Sequence, residues 1–140
     1  MKKSLVITML SVAALVILAA CTKSNTTASG KPIASTTVDN LTATLSNSTG
    51  QLKQGDQEVT LAFTDSSGKP VDVGAVSLNF HMPAMGSMAA MNEAVTLTTT
   101  TTPGVYGGRV NIPMAGEWQG QLAYEGPAGK GKATFSVTAR

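Results

Sequence analysis

The chain has 140 residues, a formal net charge of +2 at pH 7 and a single cysteine, and 42% of its residues are hydrophobic. Lys2 and Lys3 account for the excess positive charge, so the remainder is close to neutral and lacks a basic patch of the kind that binds nucleic acid. A single cysteine excludes an intramolecular disulfide, and the length suffices for one modest domain rather than two.

Residues 1–20 have the features of a secretory signal peptide. Two lysines precede a short apolar run from Leu5 to Leu18, and small residues lead into Cys21. A charged start, a short apolar stretch and a small-residue cleavage site are typical of export, and the run is short for a bilayer span of about 20 residues. The segment 18–21, LAAC, resembles the bacterial lipobox, which implies cleavage before Cys21 and a lipid on its sulfur. An uncleaved N-terminal anchor is the alternative.

Residues 21–37 are predicted to be the lipidated Cys21 and a flexible tether. The segment is polar, small and contains Gly30 and Pro32, and such a composition buries too little apolar surface to offset its ordering entropy. A tether of this kind spaces a domain from a membrane. We therefore expect a cell-envelope protein, lipid-anchored through Cys21, whose domain spans residues 38–140 outside the cytoplasm.

From residue 38 onward, apolar and polar residues alternate in seven short runs. This period of two indicates antiparallel strands with one buried face and one wet face. Turn signals rich in Gly and Pro separate the runs, and no segment after residue 21 sustains a helical period. The sequence therefore predicts an all-β, immunoglobulin-like antiparallel β-sandwich of about seven strands. The inward positions are Leu41, Ala43 and Leu45; Val59, Leu61 and Phe63; Val76, Leu78 and Phe80; Val95 and Leu97; Tyr106, Gly108, Val110 and Ile112; Trp118, Leu122 and Tyr124; and Ala133, Phe135 and Val137.

One segment, residues 81–91 with the sequence HMPAMGSMAAM, interrupts this alternation. It holds the only histidine and four of the five methionines that remain after residue 20. Because Pro83 and Gly86 disfavour a helix, we predict a loop between two strands. In such a loop the spacing of every third residue lets several thioethers converge on one point. The candidate metal ligands are His81, Met82, Met85, Met88, Met91 and, from outside the segment, Met114.

The residue types in this segment favour a soft metal ion. Thioether sulfur is soft and neutral, and it prefers Cu(I) to hard cations. Imidazole adds a pH-sensitive ligand, because it must be neutral to coordinate. The alternative is that methionines fill irregular gaps or form an adaptable apolar surface, so that the loop caps the sandwich or docks a partner.

Other candidate sites are weaker. Trp118 lies in strand phase and is predicted to be a core residue, and Glu93 and Glu117 are predicted to be solvated surface carboxylates. The sequence has no credible Ser/His/Asp set, paired carboxylates, phosphate-binding loop or Cys/His zinc spacing. We therefore do not expect an enzyme.

Short segments at residues 55–59, 65–71, 75–76, 81–85, 104–106 and 114–118 occur in an order that resembles the YtkA-like domain, a family similar to the FixH-like proteins. The resemblance covers roughly residues 38–138. It implies a small immunoglobulin-like sandwich in the bacterial cell envelope, found as lipoproteins and beside copper-handling or efflux components. On the matching positions it points to Met82, Met85 and Met114.

Together these observations favour an envelope lipoprotein that binds Cu(I) and acts as a metal carrier, chaperone or buffer. We expect a monomer whose partners are the membrane and a copper-handling or efflux protein. The alternative is an interaction module whose methionine-rich loop docks an efflux or oxidase-assembly partner without metal.

Overall fold

The computed structural model describes residues 30–140, and all regular structure within that range is β-strand. The predicted signal peptide, Cys21 and the first part of the predicted tether lie outside the described residues. None of the described residues belongs to a helix long and apolar enough to span a membrane. The strands are β1 (Lys31–Val38), β2 (Leu41–Asn47), β3 (Gly55–Thr64), β4 (Ala75–Met82), β5 (Met91–Ala94), β6 (Thr96–Thr99), β7 (Val105–Ile112), β8 (Gly116–Gly126) and β9 (Gly129–Ala139).

Two antiparallel sheets form the sandwich, which confirms the predicted immunoglobulin-like class. One sheet has the order β1-β2-β3-β7-β6 and the other the order β5-β4-β8-β9. Only Val95 separates β5 from β6, and there the chain passes from one sheet to the other. The backbone N–H of Val95 donates to the carbonyl oxygen of Leu78 at 2.9 Å, which ties this crossing to β4.

The described part of the chain contains nine strands, whereas the alternation predicted about seven. The additional strands are β1 and β5. Strand β1 occupies residues 31–38, most of which were expected in the tether, and it pairs with β2 from Lys31 opposite Asn47 to Val38 opposite Leu41. Its sequence conceals it because only Val38 is buried, so no apolar alternation is visible. Within residues 30–140 the sheet therefore begins at Lys31.

The core lies between the sheets and includes most of the predicted inward positions, together with Leu52 and Val73 from the connections. At the end of the sandwich where β3 finishes, the ring of Phe63 packs edge-on against Tyr106 and Tyr124, with centroids 6.1 and 5.6 Å apart. We call this the aromatic end. Trp118 lies toward the opposite end and is 1% exposed, which confirms its predicted core position. Its indole N–H donates to the carbonyl oxygen of Met114 at 3.1 Å.

Candidate functional site

The methionine-rich segment forms a β-hairpin rather than the irregular loop predicted from the sequence. Met82 of β4 lies opposite Met91 of β5, and Met85 and Met88 form a further antiparallel bridge beyond the two strands. The N–H of Met85 donates to the carbonyl of Met88 at 3.1 Å, and the reverse bond measures 2.8 Å. Two residues separate the pairs on each arm, so the register continues without a bulge. We call residues 83–90 the hairpin tip.

Gly86 and Ser87 are the two central residues of the turn that closes the hairpin. Gly86 has a φ of 55°, whereas Ser87 is not among the residues with positive φ. A positive φ at the first central position alone defines a type II′ turn, and glycine is favoured there because it has no Cβ. The twist of this turn matches that of paired strands, so it projects the tip as an ordered element. Every residue of the tip is exposed.

The hairpin divides four methionines into two pairs with opposite surroundings. Successive residues of a strand point to opposite faces, and residues directly opposite each other share a face. Met82 and Met91 face the interior: Met82 is 1% exposed, and Met91 packs against the core. The alternation places Met85 and Met88 on the outer face, where they are 53% and 43% exposed.

Met114 lies at the same end of the sandwich as the inner pair, opposite the aromatic end. It lies in the connection between β7 and β8 and packs against the core. The methyl carbon of Met82 lies 3.0 Å from the position that a Cβ on Gly116 would occupy, so glycine makes room for this side chain. We call this the methionine end. Close packing of Met82 is what a structural core methionine requires.

His81 lies on the outer face, away from Met82. In the sheet it pairs with Asn92 on one side and Gln119 on the other. Its Nδ1 lies 2.8 Å from Oδ1 of Asn92, which also accepts a bond from Nδ2 of Asn79 at 3.3 Å. Because a carbonyl oxygen only accepts, Nδ1 is the donor, and Nε2 of the neutral ring keeps a free lone pair. Sequence reasoning missed Asn92, which only the hairpin register could have indicated.

The spacing along the strand separates His81 from the tip pair. Four residues of extended chain place its Cα roughly 13 Å from that of Met85. Side chains stand roughly perpendicular to a sheet, so they do not close this distance. The six candidate ligands therefore lie in three groups: the tip pair Met85 and Met88, the inner group Met82, Met91 and Met114, and His81 alone.

The tip pair is the group best arranged to take up an ion from solution. Directly opposed residues have Cβ atoms about 4.5–5.5 Å apart, and methionine has three rotatable side-chain bonds, so both sulfurs can turn toward one ion. In the inner group Met82 is buried, and Met91 and Met114 are partly buried against the core, so these sulfurs are less accessible than those of the tip pair. Within residues 30–140 there is no group of three or more His, Cys, Asp or Glu side chains that could hold a metal ion.

The comparisons with known proteins agree with the resemblance noted in the sequence. The family model described as YtkA-like matches residues 35–123. The matched segment begins within β1, includes the whole hairpin and ends within β8. The chain matches no curated protein and no solved structure.

Proposed function

The chain belongs to the YtkA-like family, and we propose that it is a cell-envelope lipoprotein that binds Cu(I) at its hairpin tip. In this role it acts as a metal carrier, chaperone or buffer and catalyses no reaction. The observation that carries the proposal is the cross-strand pair of Met85 and Met88, the large hydrophobic side chains most exposed among residues 30–140.

The chemistry of the tip pair fits Cu(I). Two thioethers supply soft, neutral donors, which favour Cu(I) over Mg²⁺ or Ca²⁺. No proton has to leave a thioether before the metal binds, so the affinity does not depend on proton release. A site with only two protein ligands on an exposed turn also leaves the ion open to a further ligand from a partner, as a carrier requires.

The envelope location rests on the segment that ends in Cys21. The lipobox-like residues 18–21 support cleavage before Cys21 and a lipid on its sulfur. The test is to replace Cys21 by serine and to measure both membrane association and the mass of the mature N-terminus. We expect Cys21→Ser to lose the lipid and to leave the membrane fraction or stall in processing. A serine variant that stays membrane-bound and still carries fatty acid would contradict the proposal.

A second candidate function is a docking module that needs no metal. The same exposure of Met85 and Met88 supports it, because methionine forms adaptable apolar contacts with partner proteins. The partner would be an efflux or oxidase-assembly protein. Apolar bulk matters for docking and sulfur matters for Cu(I), so a substitution that keeps bulk and removes sulfur distinguishes the two functions.

The decisive experiment replaces the tip pair by leucine. Met↔Leu exchanges usually cost less than about 1.5 kcal/mol each, so M85L/M88L should remain folded. We expect this variant to lose Cu(I) or Ag(I) to a competing chelator that the wild-type protein resists. The matched control is M82L/M91L, which removes the same number of sulfurs from the inner face and should retain the metal.

The other outcomes of that experiment are equally informative. If the control loses the metal and the tip variant retains it, the site lies between the sheets at Met82, Met91 and Met114. If the wild-type protein retains no metal, or M82L/M85L/M88L/M91L retains metal as well as wild type does, the docking function replaces the metal function.

A further inference from the structure

The domain begins at the same end of the sandwich from which the hairpin tip projects. Strand β1 starts at Lys31, which pairs with Asn47 at the close of β2. The chain then turns through Leu52, whose backbone bridges to Ala139 at the finish of β9. Ala139 in turn pairs with Gly116, the first residue of β8.

The same end of β8 leads to the hairpin. Gln119 of β8 pairs with His81 of β4, one residue before Met82. Strand pairing and the short connection between β2 and β3 therefore place Lys31, Leu52, Gly116 and Met82 at the methionine end. The aromatic end lies at the opposite extremity of every strand.

The length of chain between Cys21 and Lys31 decides which end faces the membrane. Nine residues lie between them. Even fully extended they span no more than about 36 Å. Strand β9 alone has 11 residues, so the sandwich is itself about 34 Å tall. If the aromatic end faced the bilayer, the segment would have to run fully extended along the whole domain. If the methionine end faces the bilayer, almost any conformation of the segment between Cys21 and Lys31 allows the lipid to insert.

We infer that the hairpin tip contacts the bilayer surface to which the lipid on Cys21 attaches. The inference rests on the lipid anchor in the proposed function and is independent of the metal. The occupant of the exposed Met85–Met88 pair is then the lipid surface itself. Soft-metal exchange, where it occurs, takes place at the membrane.

The composition of the tip suits a lipid surface. Residues 83–90, PAMGSMAA, contain no charged side chain and place two half-exposed methionines at the point that projects furthest. Charges around the methionine end are of both signs and equal in number: the basic residues are Lys31, Lys53 and Arg140, and the acidic residues are Asp56, Glu93 and Glu117. Because these charges offset one another, the apolar tip and the short connection orient the domain, and salt should have little effect.

Because the lipid anchor already holds the protein at the membrane, a weak contact between the hairpin tip and the bilayer is enough to orient the domain. Once the lipid is inserted, the encounter between the tip and the bilayer is intramolecular and is governed by an effective concentration that a short linker keeps high. The small apolar area of Met85 and Met88 can therefore maintain a contact that the unanchored domain would not form.

The test places a fluorophore at each end of the lipidated full chain. Ser87→Cys labels the tip, and Ser66→Cys labels the exposed turn after β3 at the aromatic end. The sole native cysteine is Cys21, so a lipidated chain has only the introduced thiol free to react. The proteins are placed at low density in phosphatidylcholine vesicles that contain a lipid with a nitroxide quencher on its headgroup.

We expect loss of most of the fluorescence at residue 87 and none at residue 66, in both low and high salt. Adding M85S/M88S to the tip-labelled chain should restore the fluorescence, because the apolar contact is removed while the lipid remains. Equal quenching at both positions, or quenching only at residue 66, would overturn the inference. If the tip label is not quenched in pure lipid vesicles but is quenched in native membranes, the inference is also overturned. The tip would then bind a membrane protein.

The design separates this inference from the proposed function. If Cys21 reacts with the fluorophore, the lipid anchor is absent and the location proposal fails before orientation is measured. If the tip is quenched by lipid but M85L/M88L retains Cu(I) like wild type, the orientation stands and the tip-site metal proposal falls.

Discussion

The two methionine pairs of the hairpin have identical side-chain chemistry and opposite surroundings. Met82 and Met91 lie between the sheets, and Met82 is 1% exposed, whereas Met85 and Met88 lie on the outer face and are 53% and 43% exposed. The difference shows that a regular spacing of three residues does not converge on one point in a strand. Three residues along a strand lead from one face of the sheet to the other, so Met85 lies on the face opposite Met82. After the turn at Gly86, Met88 lies on the outer face opposite Met85, and Met91 lies on the inner face opposite Met82.

The largest expected effect is a difference in unfolding free energy between alanine variants of the inner pair and of the tip pair. Met82→Ala removes a fully packed side chain, and such changes cost about 2–5 kcal/mol of unfolding free energy. Met85→Ala, at an exposed site, should change it by no more than about 0.5 kcal/mol. Urea unfolding followed by the fluorescence of Trp118, the single tryptophan, measures both. Equal losses in the two variants would mean that the tip is packed in solution.

Breaking the turn should release the tip pair and leave the inner pair in place. Gly86→Ala puts a Cβ at a φ of 55° with no heavy atom within 4 Å, so its cost comes from the backbone alone. A left-handed conformation costs an L-residue roughly 1–2 kcal/mol, which corresponds to about 5- to 30-fold faster amide exchange at Met85 and Met88. Ser87→Ala is the control and should leave amide exchange at Met85 and Met88 unchanged. In both variants the amide exchange of Met82 should stay as in the wild-type protein.

Replacing His81 should have a smaller effect, on Cu(I) retention, because His81 lies apart from the tip pair. We expect His81→Gln to change Cu(I) retention less than about threefold, since roughly 13 Å of strand separates it from Met85. Retention should also be similar at pH 5 and pH 8, because thioethers bind the metal without releasing a proton. Chelator competition at both pH values measures this. A strong loss, or a steep decline toward pH 5, would restore His81 as a ligand.

The last prediction concerns the two tyrosines of the aromatic end, whose ionisation affects stability only at alkaline pH. Burial raises the pKa of Tyr106 above its ordinary value, and the charge of Asp72 adds to this; burial and a hydrogen bond to Asp39 raise the pKa of Tyr124. Both groups therefore contribute stability that is complete below the unfolded tyrosine pKa of about 10 and is lost as pH rises through the folded values. Absorbance of tyrosinate during an alkaline titration should appear together with unfolding, not before it.

Tyr124→Phe provides the matched comparison. Near pH 7 it should cost no more than about 0.5–1.5 kcal/mol, for the lost hydrogen bond to Asp39. It should shift alkaline unfolding to higher pH, because one of the two groups no longer ionises. Tyrosinate absorbance that develops fully while Trp118 fluorescence remains native would contradict the burial of both rings.

The alternation of apolar residues was enough to predict seven of the nine strands and the core positions on them. Leu45, Leu61 and Phe80, for example, are almost completely buried as expected. Four predicted inward residues are only partly buried: Val76, Leu97, Ala133 and Phe135. The ring of Phe135 packs over Gly120 on the neighbouring strand β8. Strand β5 escaped prediction because its four residues, MNEA, are too few and too mixed to display a period.

The hairpin was predictable in part. Gly86-Ser87 flanked by arms of equal length is a signal for a two-residue turn, but the apolar alternation fails on both arms, and the methionine spacing favoured a loop instead. Met82 continues the inward phase of Leu78 and Phe80, so its face follows from the period of the strand. The faces of the other three methionines could not be read from the residues, because they depend on the register of the hairpin.

The sequence by itself determined the family, the all-β class and the list of soft donors, because period, turn residues and side-chain chemistry are local properties. The tertiary structure alone decided how those donors are grouped and which end of the domain carries them. Register assigns each methionine to a face, and the antiparallel order of the sheets brings Lys31 and the hairpin tip to one end. Neither is encoded within a short segment, since both depend on pairing between residues far apart in the chain.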